Sequence, residues 1–235
     1  MTPATAKAIR EHARDTYPLE CCGVVLIQQG REYYRPCHNV ALGADQFHID
    51  PHDYADAEDA GDIVQIVHSH CNVSPDPSQA DLVSCEQSGL PWAIVNWPTG
   101  EIREFVPTHY KAPLIGRVFS HGVLDCYSII RDYYQEMLHI TIPNFERHDD
   151  WWLHDEDLYK NNFALAGFSE IAFEQLKLHD VILMQLRSPT ANHGAVYVGD
   201  GIILHHPMNR LSGRDVYGGF WQKITTHYLH HKDVQ

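Results

Sequence analysis

Val67-His68-Ser69-His70 sets two imidazoles one residue apart, and Ser78-Gln79-Ala80-Asp81 supplies a carboxylate eleven positions after the second. Two nitrogens and an oxygen at this spacing can close three sides of a zinc tetrahedron. The fourth position is left for water, which is the catalytic rather than the structural arrangement. Such a water needs a base to take its proton during attack on a carbonyl. Glu20 offers that carboxylate, and Ser78 offers a hydroxyl to a developing oxyanion. Plainer readings exist for each group. Ser78-x-x-Asp81 is also a helix N-cap with an acidic N3 residue, His-x-His recurs on surfaces, and a single Glu is usually solvated.

A second chemistry is spelled in Leu124-Asp125-Cys126-Tyr127-Ser128. With Asp125 as the cap, Cys126 falls in the first turn of a helix, where backbone N–H groups favour a thiolate. A thiol nucleophile needs a base, and the base needs an orienting group. His193, at the start of the run Gly194-Ala195-Val196-Tyr197-Val198, is the base candidate. His205 lies on the next strand, after Gly199-Asp200-Gly201, so a hairpin brings the two imidazoles together. The alternatives are a buried Cys acting as a small hydrophobe, and His205 and His206 as polar residues ending a strand.

These side chains need elements to carry them. Ile63-Val64-Gln65-Ile66-Val67 is apolar and β-branched, so it reads as a buried strand that ends in the His pair, with positions 68 and 70 on one face. Before it come a helix over 4–16, a strand over 24–27 and a hairpin turning at Gln29-Gly30. Phe47–Asp50 alternates as a short strand, and Pro51 opens an acidic helix to Ala60. A helix over 78–88 and a hairpin over 91–106 complete this part. Residues 108–117, with Pro113 and Gly116, read as a linker between domains 1–107 and 118–235. Past it, Leu124–Leu138 has strong helical periodicity, a second helix is predicted over 169–176, and strands over 180–186, 194–198 and 202–206. The fold class is α/β plus α+β, in two domains.

Composition bounds the function. The 235 residues carry a net charge of −14 with only 17 Lys and Arg, which removes the electrostatic footing for nucleic acid. No apolar run approaches the ~18 residues of a membrane span, and the N-terminal stretch lacks the apolar centre of a signal peptide. The six Cys form no C-x-x-C pair and read as reduced thiols. Among the 18 His, the cluster His227, His230 and His231 reads as a frayed surface tail.

Glu20-Cys21-Cys22-Gly23, His68-Ser69-His70 and Ser78-Gln79-Ala80-Asp81 together resemble the JAMM motif of the Mov34/MPN metalloproteases, over roughly residues 1–107. The resemblance implies a zinc isopeptidase fold with His68, His70 and Asp81 as ligands, Glu20 as general base and Ser78 as oxyanion helper. It departs at Cys71, where the family usually has Pro. Asp125-Cys126, His193-Gly194-Ala195-Val196-Tyr197-Val198-Gly199-Asp200-Gly201 and Leu204-His205-His206 resemble the NlpC-type papain-like cysteine peptidases over about residues 115–225. That implies Cys126 as nucleophile, His193 as base, His205 as orienting residue, and peptide bonds of peptidoglycan stem peptides as substrate. Tyr127-Ser128-Ile129 departs from the usual Ser-Gly-Leu. Glu146–Tyr159, with Trp151 and Trp152, reads either as an insertion over the cleft or as an aromatic anchor.

The two motifs in this order resemble the tail-assembly proteins of lambda-like siphophages. This implies tail-tip proteins as partners, a place in the host cytoplasm during assembly and at the virion tail tip, and no need of a signal peptide. It also leaves open a non-enzymatic or single-use processing factor that serves as a tail-assembly scaffold.

Overall fold

The computed structural model describes residues 1–154 and 156–235 and divides into two compact units, Met1–Lys111 and Ala112–Gln235. In the first unit, α1 (Pro3–Thr16) is capped by Thr2 and begins at a proline, then gives way to β1 (Cys22–Gln28) and β2 (Arg31–Cys37). Next come α2 (Pro51–Ala60), β3 (Asp62–Cys71), α3 (Gln79–Ser88), β4 (Trp92–Trp97) and β5 (Ile102–Phe105). The sheet order is β2-β1-β3-β4-β5, antiparallel except for the parallel pair β3–β4 that α3 connects.

Strand alternation sorts this unit into two cores. Ile9 and Ala13 of α1 pack on Val25, Val67, Ala93 and Val95 on one face. On the other, Ala57 of α2 and Cys85 of α3 cover Val24, Leu26, Ile66 and Trp92. His68 shares the parity of Ile66, so the His pair opens toward α3. Phe47–Asp50 is not a strand: it makes one isolated bridge, Asn39 to Ile49, while Phe47 and Ile49 pack beneath the sheet.

In the second unit, α4 (Cys126–Tyr133) continues as a π-helical turn over Tyr134–Leu138. It is followed by α5 (Leu158–Asn162), β6 (Phe168–Ile171), β7 (Val181–Met184), β8 (His193–Tyr197), β9 (Ile202–His205), β10 (Gly213–Val216), α6 (Gly219–Lys223) and β11 (Thr225–His231). The sheet runs β10-β9-β8-β7-β11-β6 with every paired neighbour antiparallel. Ile129, Ile130 and Tyr133 of α4 meet Leu183, Val196, Leu204 and Leu229 in its main core.

Two sequence expectations change here. The helix predicted over 169–176 is instead β6 and a 3₁₀ turn at Phe173–Gln175, because residues 168–171 pair with β11. The three C-terminal His belong to β11, inside the sheet: His230 Nδ1 lies 2.7 Å from Oδ1 of buried Asp180, and His231 is buried. The stretch 108–117 has fixed contacts. The N–H groups of Thr108 and Tyr110 donate to Glu86, and the fully buried Arg117 donates to the carbonyls of Ala112 and Pro113 and pairs with Asp132 at 2.6 Å. All six cysteines are unpaired, and no described helix is long and apolar enough to cross a membrane.

Candidate functional site

The first site forms where β3 delivers His68 and His70 and the first turn of α3 delivers Asp81. The two Nε2 atoms are 3.3 Å apart; Asp81 Oδ1 is 3.3 Å from that of His68, and Oδ2 is 3.5 Å from that of His70. His70 Nδ1 sits 2.8 Å from the Ser74 carbonyl, which only accepts, so Nδ1 carries a proton and Nε2 is the nitrogen that faces inward. Phe47 stacks on the His68 ring with centroids 4.3 Å apart, and Nδ1 of that buried ring has no partner among the described residues. Burial lowers His68, so it favours the neutral ligand form. Burial also works against charge on His70, yet hydrogen bonds to Asp81 and Ser74 raise it. Asp81 is held far below the usual carboxylate range: burial opposes this, and His68, His70 and Ser78 prevail.

Ring nitrogens and a carboxylate of three side chains thus converge within 4.8 Å, a set that could hold a metal ion, and two imidazoles with one carboxylate fit zinc. The capping reading of Ser78 is equally realised. Asp81 N–H donates to Ser78 Oγ at 3.1 Å, and Ser78 N–H donates to Asp81 Oδ2 at 2.7 Å. Ser78 therefore starts α3 through a reciprocal pair of bonds with Asp81. Glu20, at the approach to β1, is buried, and burial pushes its carboxyl up to about 8 while His70 pulls it down. Among the described residues Cys71 joins no such group: its thiol faces the Leu19 carbonyl at 3.5 Å.

The second site lies between the start of α4 and the first residues of β8. Asp125 caps α4, accepting from the amides of Tyr127 at 3.0 Å and Ser128 at 2.8 Å, and pairs with Arg147 at 2.7 Å. Cys126 Sγ is 3.9 Å from the carbonyl of Asn192, the residue before His193, and 3.2 Å from the hydroxyl of Tyr159. Burial, with Asp125 adding to it, pushes the thiol up to about 11. His193 Nε2 is 3.0 Å from His205 Nδ1, and His205 Nε2 is 3.1 Å from Asp215 Oδ2. Burial brings His193 down to about 3, so thiol and imidazole are each neutral at rest. Trp221 lies over both rings, at 5.8 and 4.7 Å between centroids.

Sequence reasoning missed Tyr159 and Asp215. Asp215 stands opposite Ile203 on the β9–β10 ladder, diagonal to His205 on the same face. A third strand of a meander after Ser212-Gly213 was the available signal. Tyr159 comes from the aromatic segment 146–159, of which Asp155 lies outside the described residues. Trp151 there is buried against Tyr159, which favours the anchor reading. Tyr127 hydrogen-bonds the Pro143 carbonyl at 2.7 Å and, with Trp151, Tyr159 and Phe163, lines an apolar pocket.

These geometries define a chain with a JAB-type unit followed by a papain-like unit of the NlpC/P60 type. The first matches the family of prokaryotic homologs of the JAB domain over residues 2–107, and the second matches the NlpC/P60 family over residues 116–230. Among solved structures, a JAB1/MPN domain protein from Archaeoglobus fulgidus covers 44% of this chain and 84% of its own, at 19% identity and a TM-score of 0.30. An NlpC/P60 family protein from Bacillus cereus covers 94% and 66%, at 13% identity and a TM-score of 0.38.

Over the whole length, the chain is 36% identical to the tail tip assembly protein K of Escherichia phage N15 across 240 residues, 100% of this chain and 97% of that protein. It is 39% identical to the tail tip assembly protein K of Escherichia phage lambda across 184 residues, 78% of this chain and 89% of that protein. The chain belongs to the tail tip assembly protein K family of lambda-like phages.

Proposed function

We propose that this chain is a tail-tip assembly protein whose second unit is a cysteine peptidase cleaving peptide bonds in peptidoglycan stem peptides. The observation that carries the reading is the Cys126 thiol at the start of α4, beside the strand that presents His193 backed by His205. In this mechanism Sγ gives its proton to His193 as it attacks the carbonyl carbon, so a C–S bond forms. His193 returns that proton to the departing amine as the C–N bond breaks, and water then hydrolyses the thioester, regenerating the thiol. Asp125 occupies the amides of Tyr127 and Ser128, which leaves the Cys126 N–H for the developing oxyanion. The partners are tail-tip proteins during assembly in the host cytoplasm, and cell-wall peptide at the virion tail tip.

The first unit is proposed as a second, isopeptidase-like site. His68, His70 and Asp81 would hold zinc, which when bound supplies Lewis acidity. Glu20, poised near neutrality by burial, would move the proton, and the Ser78 hydroxyl would face the oxyanion.

A second reading has its own observation. Burial pushes the Cys126 thiol up to about 11 and disfavours its anion, as suits a scaffold or a factor that cuts once. Incubation of the purified protein and Cys126→Ala with murein stem peptides separates the two. Release by the wild type alone supports the peptidase; no release by either leaves the scaffold. Complementing a phage that lacks the gene with Glu20→Ala and Cys126→Ala separately tests the assembly role. Normal tails and infectivity from both would leave only a structural contribution.

A further inference from the structure

The His193–His205 pair ends on a group that the Cys-His-His reading does not include. Asp215 Oδ2 lies 3.1 Å from His205 Nε2, while Arg210 donates to the same carboxylate from Nη1 at 3.0 Å and Nη2 at 3.3 Å. Against partial burial, the hydrogen bonds from Arg210 and His205 hold Asp215 below the usual carboxylate range, so it only accepts. Burial also lowers His205, so its ring is neutral and carries one proton.

Those facts set the proton positions in sequence. A carboxylate facing His205 Nε2 requires the proton there. His205 Nδ1 is then a lone pair and can only accept. The 3.0 Å contact between His205 Nδ1 and His193 Nε2 therefore requires the His193 proton on Nε2. The one ring nitrogen left to take a proton is His193 Nδ1. The opposite chain of tautomers would protonate Nδ1, and a base protonated there cannot accept the thiol proton.

We propose that Asp215 is a positioning residue which, acting through His205, fixes the proton of His193 on Nε2 and so keeps Nδ1 available to Cys126. Arg210 holds the carboxylate in place. During attack the thiol proton moves to Nδ1; His193 becomes an imidazolium whose Nε2–H still donates to His205, and Asp215 stays ionised. No proton passes to the carboxylate, and nothing is oxidised or reduced. This inference rests on the peptidase reading for its purpose but not for its test.

The test is nitrogen NMR of the full-length chain labelled with ¹⁵N-histidine, with His193 assigned by its absence in His193→Gln. The wild type is expected to show Nε2 protonated and Nδ1 bare on both rings. In Asp215→Ala the bias is lost: His193 acquires protonated Nδ1, and alkylation of Cys126 by iodoacetamide at neutral pH falls about tenfold to a hundredfold, the weight of one charge-assisted hydrogen bond. Asp215→Glu, which keeps the carboxylate, restores both readouts, as a merely structural role would not require. A wild-type His193 protonated on Nδ1 overturns the proposal. So does an Asp215→Ala protein with the wild-type tautomer and alkylation rate. Should Asp215→Ala not fold, the wild-type spectrum decides alone. The expected tautomers with no hydrolysis of stem peptides would sink the peptidase and leave the relay standing.

Discussion

The hydroxyl of Tyr159 lies 3.2 Å from the Cys126 sulfur, while the ring above it forms part of the wall of the neighbouring cavity. The two parts of this side chain act in opposite directions on the thiol. The hydroxyl can donate to a thiolate, which favours the anion, whereas the ring excludes water and disfavours it. Tyr159→Phe keeps the ring and removes the donor, so alkylation of Cys126 should slow by roughly tenfold. Tyr159→Ala removes both, and should speed alkylation by opening access. Equal rates in the two variants would remove Tyr159 from control of the nucleophile.

The thiol itself should titrate late. Burial raises Cys126 to about 11, so in the protein without substrate its alkylation rate should climb through the neutral range with no plateau below pH 10. An ion-pair thiolate, by contrast, would give a flat rate from pH 5 to 9. The rate of iodoacetamide labelling at Cys126, followed by peptide mass spectrometry against pH, separates the two.

Both candidate sites were legible where the signal is local. His68 and His70 share a face because a strand has period two, and Asp81 enters because a cap places its residue N3 back over the helix start. His193 and His205 meet because a tight turn joins their strands. What escaped was set by long-range pairing. Ser169 and Glu170 read as helical until the β11 strand claims residues 168–171. His230 and His231 look like a polar tail but lie in a strand flanked on both sides. Asp215 reaches His205 only through the β9–β10 ladder, and Tyr159 reaches Cys126 across 33 residues, so no spacing announces either.

Zinc and the cap of α3 should come apart under mutation. Wild-type protein should bind about one zinc ion per chain, as expected for a single three-ligand site. His70→Ala should lose that zinc. Ser78→Ala removes the acceptor for the Asp81 N–H without removing a ligand. It should therefore retain zinc while costing about 1 kcal/mol of stability with or without metal. Metal content by atomic emission and denaturant unfolding, with and without chelator, check both statements. Zinc lost from Ser78→Ala would show that the cap is what sets Asp81 for the metal.

Asp125 supports the nucleophile from below, and its loss should be severe. It is buried with Arg147, the two side chains being 2% and 7% exposed, and it also caps α4. Asp125→Ala leaves Arg147 buried beside Phe145 and Gly122 carbonyls with no counter-charge. Stranding a buried charge typically costs about 3–5 kcal/mol, and the lost cap adds to it. Asp125→Asn keeps an acceptor for the helix amides and should cost less. Urea unfolding of the two variants tests the order, and a milder effect from alanine would contradict it.

The second unit should weaken in acid before its carboxylates protonate. His193 falls to about 3 and His206 to about 4, in both cases chiefly through burial, against an unfolded value near 6.5. Below pH 6.5 the unfolded chain binds protons at these two positions and the folded one does not. Stability is therefore fully present above that pH and is lost as pH falls from 6.5 toward 3 to 4. For the fully enclosed His193 the loss is on the order of a few kcal/mol by the bottom of that window. Melting followed from pH 7.5 to 4 should show a steady fall that begins near 6.5. His206→Gln, which carries no titrating group, should flatten the slope. A melting temperature level from pH 7 to 5 would mean that these imidazoles already accept protons in the folded state.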